Sequence, residues 1–205
     1  MPIKLNSTGG GSVTLDVGSI GSTFTLTAPA NNGTLITSAT GSRLIPSAAM
    51  PVGSVLQVVH GETRTTVSTT SSGSVWSGVS ITPSSTSSKI LILASFAFGG
   101  SNLNGGLAIY RNGAAFMSNL DNASSGGSTA YTGAFATMDD GPGGYNAYAI
   151  QPYTVNYLDS PSSISSQTYS LYCTYMSGGY LYLNRQGTDN GGRGVSTMTL
   201  IEIAG

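Results

Sequence analysis

Charge is what this sequence has least of. Of 205 residues, 7 are Lys or Arg and 8 are Asp or Glu, so charged side chains make up 7% of the chain, against roughly 25% in an ordinary soluble domain. A net charge of -1 spread over so few cations leaves no basic footprint for nucleic acid or for an anionic membrane surface. Cysteine occurs once, which excludes a disulfide framework within the chain and a cysteine-cluster zinc site. Histidine also occurs once, which excludes a multi-histidine metal site and leaves few groups for general acid–base work. No apolar run approaches the roughly eighteen residues needed to span a bilayer, so no membrane insertion is expected. No stretch combines a 3.6-residue period with a cap, so helices are not expected either. The opening residues Met1 to Asn6 lack the apolar core of a secretory signal. Synthesis in a cytoplasm is therefore expected, which suits a lone thiol.

Small and hydroxylated residues take the place of charge. The chain holds 29 Gly, 32 Ser and 24 Thr, together 85 of 205 residues. Such richness in Gly and Ser raises the prospect of a disordered linker. Hydrophobic residues at 39% argue against it, because the segments between the Ser/Gly stretches are apolar enough to fold. Low charge also makes a free monomer poorly soluble, so much of the surface is expected to be hidden in an assembly.

Aromatic residues divide the chain in two. All 11 Tyr lie at or after Tyr110, and the first 48 residues hold a single aromatic, Phe24. That first part reads as short pieces of alternating Thr and apolar residues, Val13–Val17, Thr23–Thr27 and Gly33–Thr37, punctuated by Gly and Asn. The period of two marks strands, but they carry too few large side chains to bury a core alone. Residues 1–48 are therefore read as an anchoring arm and trimerisation module. Val13, Leu15, Phe24, Leu26, Leu35 and Ile36 are its candidate contacts with a partner.

Residues 49–205, after a linker around Pro46 to Gly53, read as a knob of true strands. These are Val55–His60, Val75–Ile81, Lys89–Phe98, Leu107–Arg111, Ala114–Met117, Tyr131–Met138, Tyr145–Leu158, Thr168–Met176, Gly179–Asn184 and Val195–Ala204. Asn112-Gly113 between two apolar runs signals a tight hairpin, since both residues tolerate positive φ. Pro152 places its strand at an edge or bulge. Lys89–Phe98 is apolar on both faces, which predicts an inner strand whose second face meets another subunit. Leu91, Leu93, Phe96 and Phe98 are the candidate interface residues. Many short strands with Gly/Ser turns and no helix predict an all-β protein: an extended arm followed by a jelly-roll-like antiparallel sandwich, as a trimer.

Few residues invite a chemical role. His60 stands near Glu62 and Arg64, but no nucleophile motif accompanies it, and a surface or satisfied histidine is the expectation. Cys173 shares a strand face with Leu171 and reads as a buried, inert thiol. Asp139-Asp140-Gly141 lacks the spacing of a cation loop and reads as a solvated turn. No catalytic residue, metal or cofactor is expected. Tyr145, Tyr148, Tyr180 and Tyr182 are weighed between packing and stacking on a glycan, since tyrosine offers contact area with a hydrogen-bonding tip.

Several stretches resemble a known group. Gly11–Leu15 with Phe24–Ala30 and Gly33–Thr37 resembles the N-terminal module of tail-fibre-like and head-decoration proteins of tailed bacteriophages, especially aquatic ones. Gly53–Val59, Val79–Ile92, Leu158–Pro161 and Ser196–Ala204 are similar to the globular domain that follows it. The resemblance covers both ends and most of the chain, and its specificity lies in the order of the pieces. It implies a homotrimeric, β-rich, non-enzymatic protein of the virion surface, made in the cytoplasm of a bacterial host. Its partners would be its own copies and the major capsid protein or another virion protein. A capsid-decoration (cement) or head-fibre role is the first expectation, because the chain is short for a complete tail fibre. A tail-fibre receptor-binding protein that recognises a host surface glycan is the alternative. A hydrolase would need paired carboxylates in a cleft, and nothing orders Asp121, Asp139, Asp140, Asp159 and Asp189 into one.

Overall fold

The structure is a computed structural model. It describes residues 3–6, 12–15, 50–101, 104–117, 136–138, 149–187 and 191–205. The chain divides into two compact units, Met1–Leu44 and Ile45–Gly205. In the first, β1 (Ile3–Asn6) and β2 (Ser12–Leu15) pair antiparallel, with Ile3 opposite Leu15 and Leu5 opposite Val13. Two candidate arm residues, Val13 and Leu15, thus lie on β2. Phe24, Leu26, Leu35 and Ile36 lie outside the described residues.

The second unit is all-β among its described residues: antiparallel sheets in a sandwich-like arrangement. The first sheet is built on β3 (Val55–Thr63), β13 (Ser196–Ile203), β6 (Lys89–Ser101) and β10 (Gln151–Asp159), side by side in that order. Beyond the end of β13, β12 (Tyr180–Leu183) continues along β6, and β4 (Val67–Thr69) continues beside β12. The second sheet runs β5 (Gly73–Ile81), β11 (Gln167–Ser177), β7 (Asn104–Arg111), with β8 (Ala114–Ala115) and β9 (Ala136–Met138) both on β7.

The pairing accounts for the sequence pattern. β6 is flanked on both sides over most of its length, by β10 and by β13 with β12. β10 pairs only with β6, and Pro152, which has no N–H to donate, stands on that edge strand. The Asn112-Gly113 turn joins β7 to β8 with φ of 52° and 79°, as a tight hairpin requires. β4 falls inside what the sequence reads as a Ser/Thr/Gly loop. It is only three residues long, too short for alternation to register.

Between the sheets lies one apolar core. Ile90, Ile92, Phe96 and Phe98 of β6 meet Leu107 and Ile109 of β7 and Tyr169, Leu171 and Cys173 of β11, all buried. Trp76 of β5 packs edge-on against Phe96, and Phe116 packs edge-on against Tyr157 and Tyr169. This corrects one expectation. Phe96 and Phe98, read as subunit-interface residues, are 0% exposed within the single chain. They share the inward face with Ile90 and Ile92, and the second sheet already covers them. Leu91 and Leu93 alternate onto the opposite, outer face, where they are half-buried and exposed respectively.

One glycine permits the close contact of β5 with β11. Gly78 has φ of 81°, and a Cβ there would sit 2.6 Å from the carbonyl carbon of Tyr169 and 2.8 Å from the Cα of Ser170.

Candidate functional site

The most exposed aromatic group among the described residues belongs to β12. Leu181 and Leu183 are buried in the core, so alternation turns Tyr180 and Tyr182 outward. Their rings stack at 5.8 Å with only 11° between the planes. Arg185 adds a third layer, its guanidinium carbon 4.3 Å from the centre of the Tyr182 ring. Tyr180, at the open end of this column, is 49% exposed. The exposed Tyr180 ring at the end of this column is a flat apolar surface suited to stacking a sugar ring.

The column is held by an excursion of the chain. After β12 the backbone leaves the lane along β6, passes a bridge between Arg185 and Arg193, and returns as β13. Asn184 is the pivot, fully buried with φ of 58°, a conformation Asn tolerates better than most residues. Its N–H donates to the Ala97 carbonyl at 2.8 Å, and its own carbonyl accepts from Gly194 at 3.0 Å. Its side-chain amide donates to the carbonyls of Thr63 (2.9 Å) and Thr65 (3.1 Å) and accepts from the Ser196 hydroxyl at 2.6 Å. Where the strand lane breaks, the Asn184 side chain serves the Thr63 and Thr65 carbonyls, while the Asn184 N–H and the Ser196 hydroxyl serve the Ala97 backbone. Gly99 leaves room for the crossing: a Cβ there would sit 2.9 Å from the Cα of Gln186.

The other sequence candidates separate. Tyr145, Tyr148, Asp139 and Asp140 lie outside the described residues. Tyr153 packs edge-on against Phe98 at 5.9 Å and Tyr157 against Phe116 at 5.7 Å, so both serve the core. His60 is exposed, with Nδ1 2.8 Å from the Thr199 hydroxyl. Cys173 is buried and its thiol donates to the Tyr175 carbonyl at 3.2 Å. Burial pushes its pKa up to about 11, so it stays a protonated, unreactive thiol at neutral pH. Among the described residues no three of His, Cys, Asp and Glu gather to hold a metal, and no helix is long and apolar enough to cross a membrane.

Two buried carboxylates that sequence reading did not place are structural. Asp159 on β10 takes both oxygens to Arg111 Nη1 (2.8 and 2.7 Å) and accepts from the Tyr169 hydroxyl (2.7 Å) and the Ser160 N–H (2.8 Å). Arg111 and Tyr169 belong to the second sheet, so this group ties the two sheets together. Burial, then the bond to Asp159, pushes the Tyr169 phenol well above its ordinary range. Glu202 on β13 is fully buried. It accepts from Ser84 N–H and Oγ and from Ser88 Oγ, each at 2.7 Å, and from Gln57 Nε2 at 2.6 Å. Burial raises its pKa, but these donors outweigh burial and leave it below the usual glutamate value. The hollow beside it is lined by Ser84, Ser85, Ser87 and Ser88, yet the Ser84 and Ser88 hydroxyls already serve Glu202. In this arrangement neither carboxylate is free to act as an acid or base.

No family model matches this chain, and no curated protein matches it.

Proposed function

We propose that this chain is a structural protein of a tailed-bacteriophage particle: a homotrimeric capsid-decoration or head-fibre protein on the virion surface, with no catalytic role. Its N-terminal unit anchors it to capsid protein and its sandwich projects outward. The observation that carries this reading is the convergence of the phage-like stretches on one clasp. Gln57, Ser84, Ser88 and Glu202 come from Gly53–Val59, Val79–Ile92 and Ser196–Ala204, which are distant in sequence, and they join through one carboxylate. These three pieces of the resemblance meet in one place in the fold, as parts of one domain do. The strand order supports a jelly roll. The chain alternates between sheets so that β3-β13-β6-β10 faces β5-β11-β7, an architecture common in viral capsid and lectin domains. Fold alone does not assign function, so the position on the particle is the test. Gold-labelled antibody against the protein should decorate phage heads, and protein lacking residues 1–48 should fail to rebind stripped particles. Label confined to the tail tip would sink the head assignment.

A second reading is favoured by the Tyr180–Tyr182–Arg185 column: a receptor-binding tail-fibre protein that stacks a host surface glycan there. It predicts label at the tail and competition of adsorption by the soluble knob.

A further inference from the structure

We propose that the hollow over Glu202 is a binding site for an aliphatic ammonium group, the chemistry that a lysine side chain carries. The site does not depend on the virion assignment.

The loop between β5 and β6, residues 83–88, builds one wall. A turn from the Ser85 carbonyl to the Ser88 N–H (3.2 Å) helps to gather Ser84, Ser85, Ser87 and Ser88 around a hollow of about 340 Å³. Each serine hydroxyl owns one proton, and each proton is already committed. Ser84 and Ser88 donate theirs to Glu202 Oε1, both at 2.7 Å. Ser87 donates its own to the backbone oxygen of Gly205 at 2.8 Å. The Ser85 and Ser87 hydroxyls lie 3.0 Å apart, and with the Ser87 proton engaged, Ser85 is the donor between them. The four hydroxyls therefore have only lone pairs left to offer. Such a rim accepts hydrogen bonds and gives none, so it selects a ligand made of donors.

Charge beneath the rim selects the sign. Glu202 is fully buried. Burial works against its charge, but its hydrogen bonds hold the pKa below the ordinary glutamate value, so it is ionised at neutral pH. A buried charge is ordinarily paired with an opposite one. Among the described residues the ion pairs are Arg64–Glu62 and Arg111–Asp159, and neither involves Glu202. Lys89, the cation next to the loop, has its Nζ 3.5 Å from Ser160 Oγ. The hollow thus overlies a negative charge that has donors around it but no counter-ion.

The remaining wall sets the shape of the ligand. Met50, Leu56 and Ala204 line the same hollow and give it an apolar side. A bare metal ion would leave that side unused. It would also need carboxylate oxygen, and both Glu202 oxygens are already held by Ser84, Ser88 and Gln57. An ammonium on a four-carbon stem uses both sides: its N–H donors meet the hydroxyl lone pairs and its methylenes lie against Met50 and Leu56.

The test is a titration of the isotope-labelled whole chain with n-butylammonium chloride, read from amide shifts by nuclear magnetic resonance at constant ionic strength. n-Butanol and calcium chloride are the comparison probes. Saturable shifts centred on residues 84–88 and 204–205 are expected, with a dissociation constant on the order of 10 mM for so small a ligand. Both comparison probes should bind at least tenfold more weakly. Glu202→Gln should weaken n-butylammonium at least tenfold. Ser87→Ala, at an exposed position, should weaken it at least twofold with the rest of the spectrum unchanged, and it carries the comparison if Glu202→Gln does not fold. Blocked lysine, Nα-acetyl-lysine methylamide, separates the sources. Binding at least as tight as that of n-butylammonium supports a protein lysine, and binding of n-butylammonium alone supports a free amine. No saturable shift at concentrations tenfold above the expected constant overturns the site. So does an n-butanol response equal to that of n-butylammonium, a stronger calcium response, or folded variants with unchanged affinity.

Discussion

Asn184 concentrates more structural dependence than any catalytic-looking residue in the chain. All its polar groups are bonded, it is fully buried, and it holds a positive φ. Asn184→Ala removes three side-chain bonds, strands the Thr63 and Thr65 carbonyls and the Ser196 hydroxyl, and puts Ala in a strained conformation. It should cost about 3 kcal/mol in urea denaturation, while Asn184→Gly, which restores only the φ, should recover a minor part. Glu202 makes a different prediction. Its folded pKa lies below the ordinary value, so its stabilisation is complete above the unfolded pKa of about 4.3. That contribution is lost as pH falls through the depressed folded value. Glu202→Gln should therefore lose about 2 kcal/mol at pH 7, and its difference from wild type should shrink as the pH is taken below about 4. A difference that stays constant to pH 3 would show that the carboxylate charge is not what binds Ser84, Ser88 and Gln57. Neither residue stands out in the sequence. One Asn among several, or a Glu in an alternating strand, shows its role only when four distant segments meet.

At the scale of elements, the strands were largely legible. Alternation and turn residues located β3, β5, β6, β7, β11, β12 and β13 within a few residues, because each has a buried face that demands period-two patterning. The Asn-Gly hairpin and the edge position of Pro152 were legible for local reasons, namely positive φ and a missing donor. The partners of each strand were not. β6 is apolar on both faces, and periodicity cannot tell which face meets the second sheet, so interface candidates come from both, and only the pairing shows that Phe96 and Phe98 face inward. The division of one lane into β12 and β13 was equally hidden, since the break depends on Asn184 and on Gly99 yielding space to the crossing backbone. Gly78 gives an element-level test. Its φ of 81° and the proximity of Tyr169 and Ser170 mean that Gly78→Ala must push β5 from β11. Loss of the cooperative thermal transition, or a large drop in its midpoint, is expected; a wild-type melt would refute this account of the pairing.

At the largest scale, the described residues of Ile45–Gly205 form an all-β, sandwich-like arrangement with two outer faces. One carries the apolar row Leu158, Leu91, Ile201 and Val58, and the Tyr180–Tyr182–Arg185 column stands farther along the same sheet, past the excursion at Asn184. Under the receptor-binding reading, soluble knob should inhibit phage adsorption, and Tyr180→Ser with Tyr182→Ser should weaken that inhibition about 5- to 150-fold, at about 1–3 kcal/mol for lost aromatic stacking and its buried area. Wild-type knob that leaves adsorption unchanged would favour the decoration role.

The sequence by itself determined the class: all-β and sandwich-like. Those properties follow from composition and from the two-residue period, which are local. Only the tertiary structure decided which face of β6 is the core, that Asp159 and Glu202 are spent on structure, and that Leu158, Leu91, Ile201 and Val58 lie side by side on the outer face. Each of these depends on register between strands far apart in the chain, and a shift of one residue would turn every side chain to the other face.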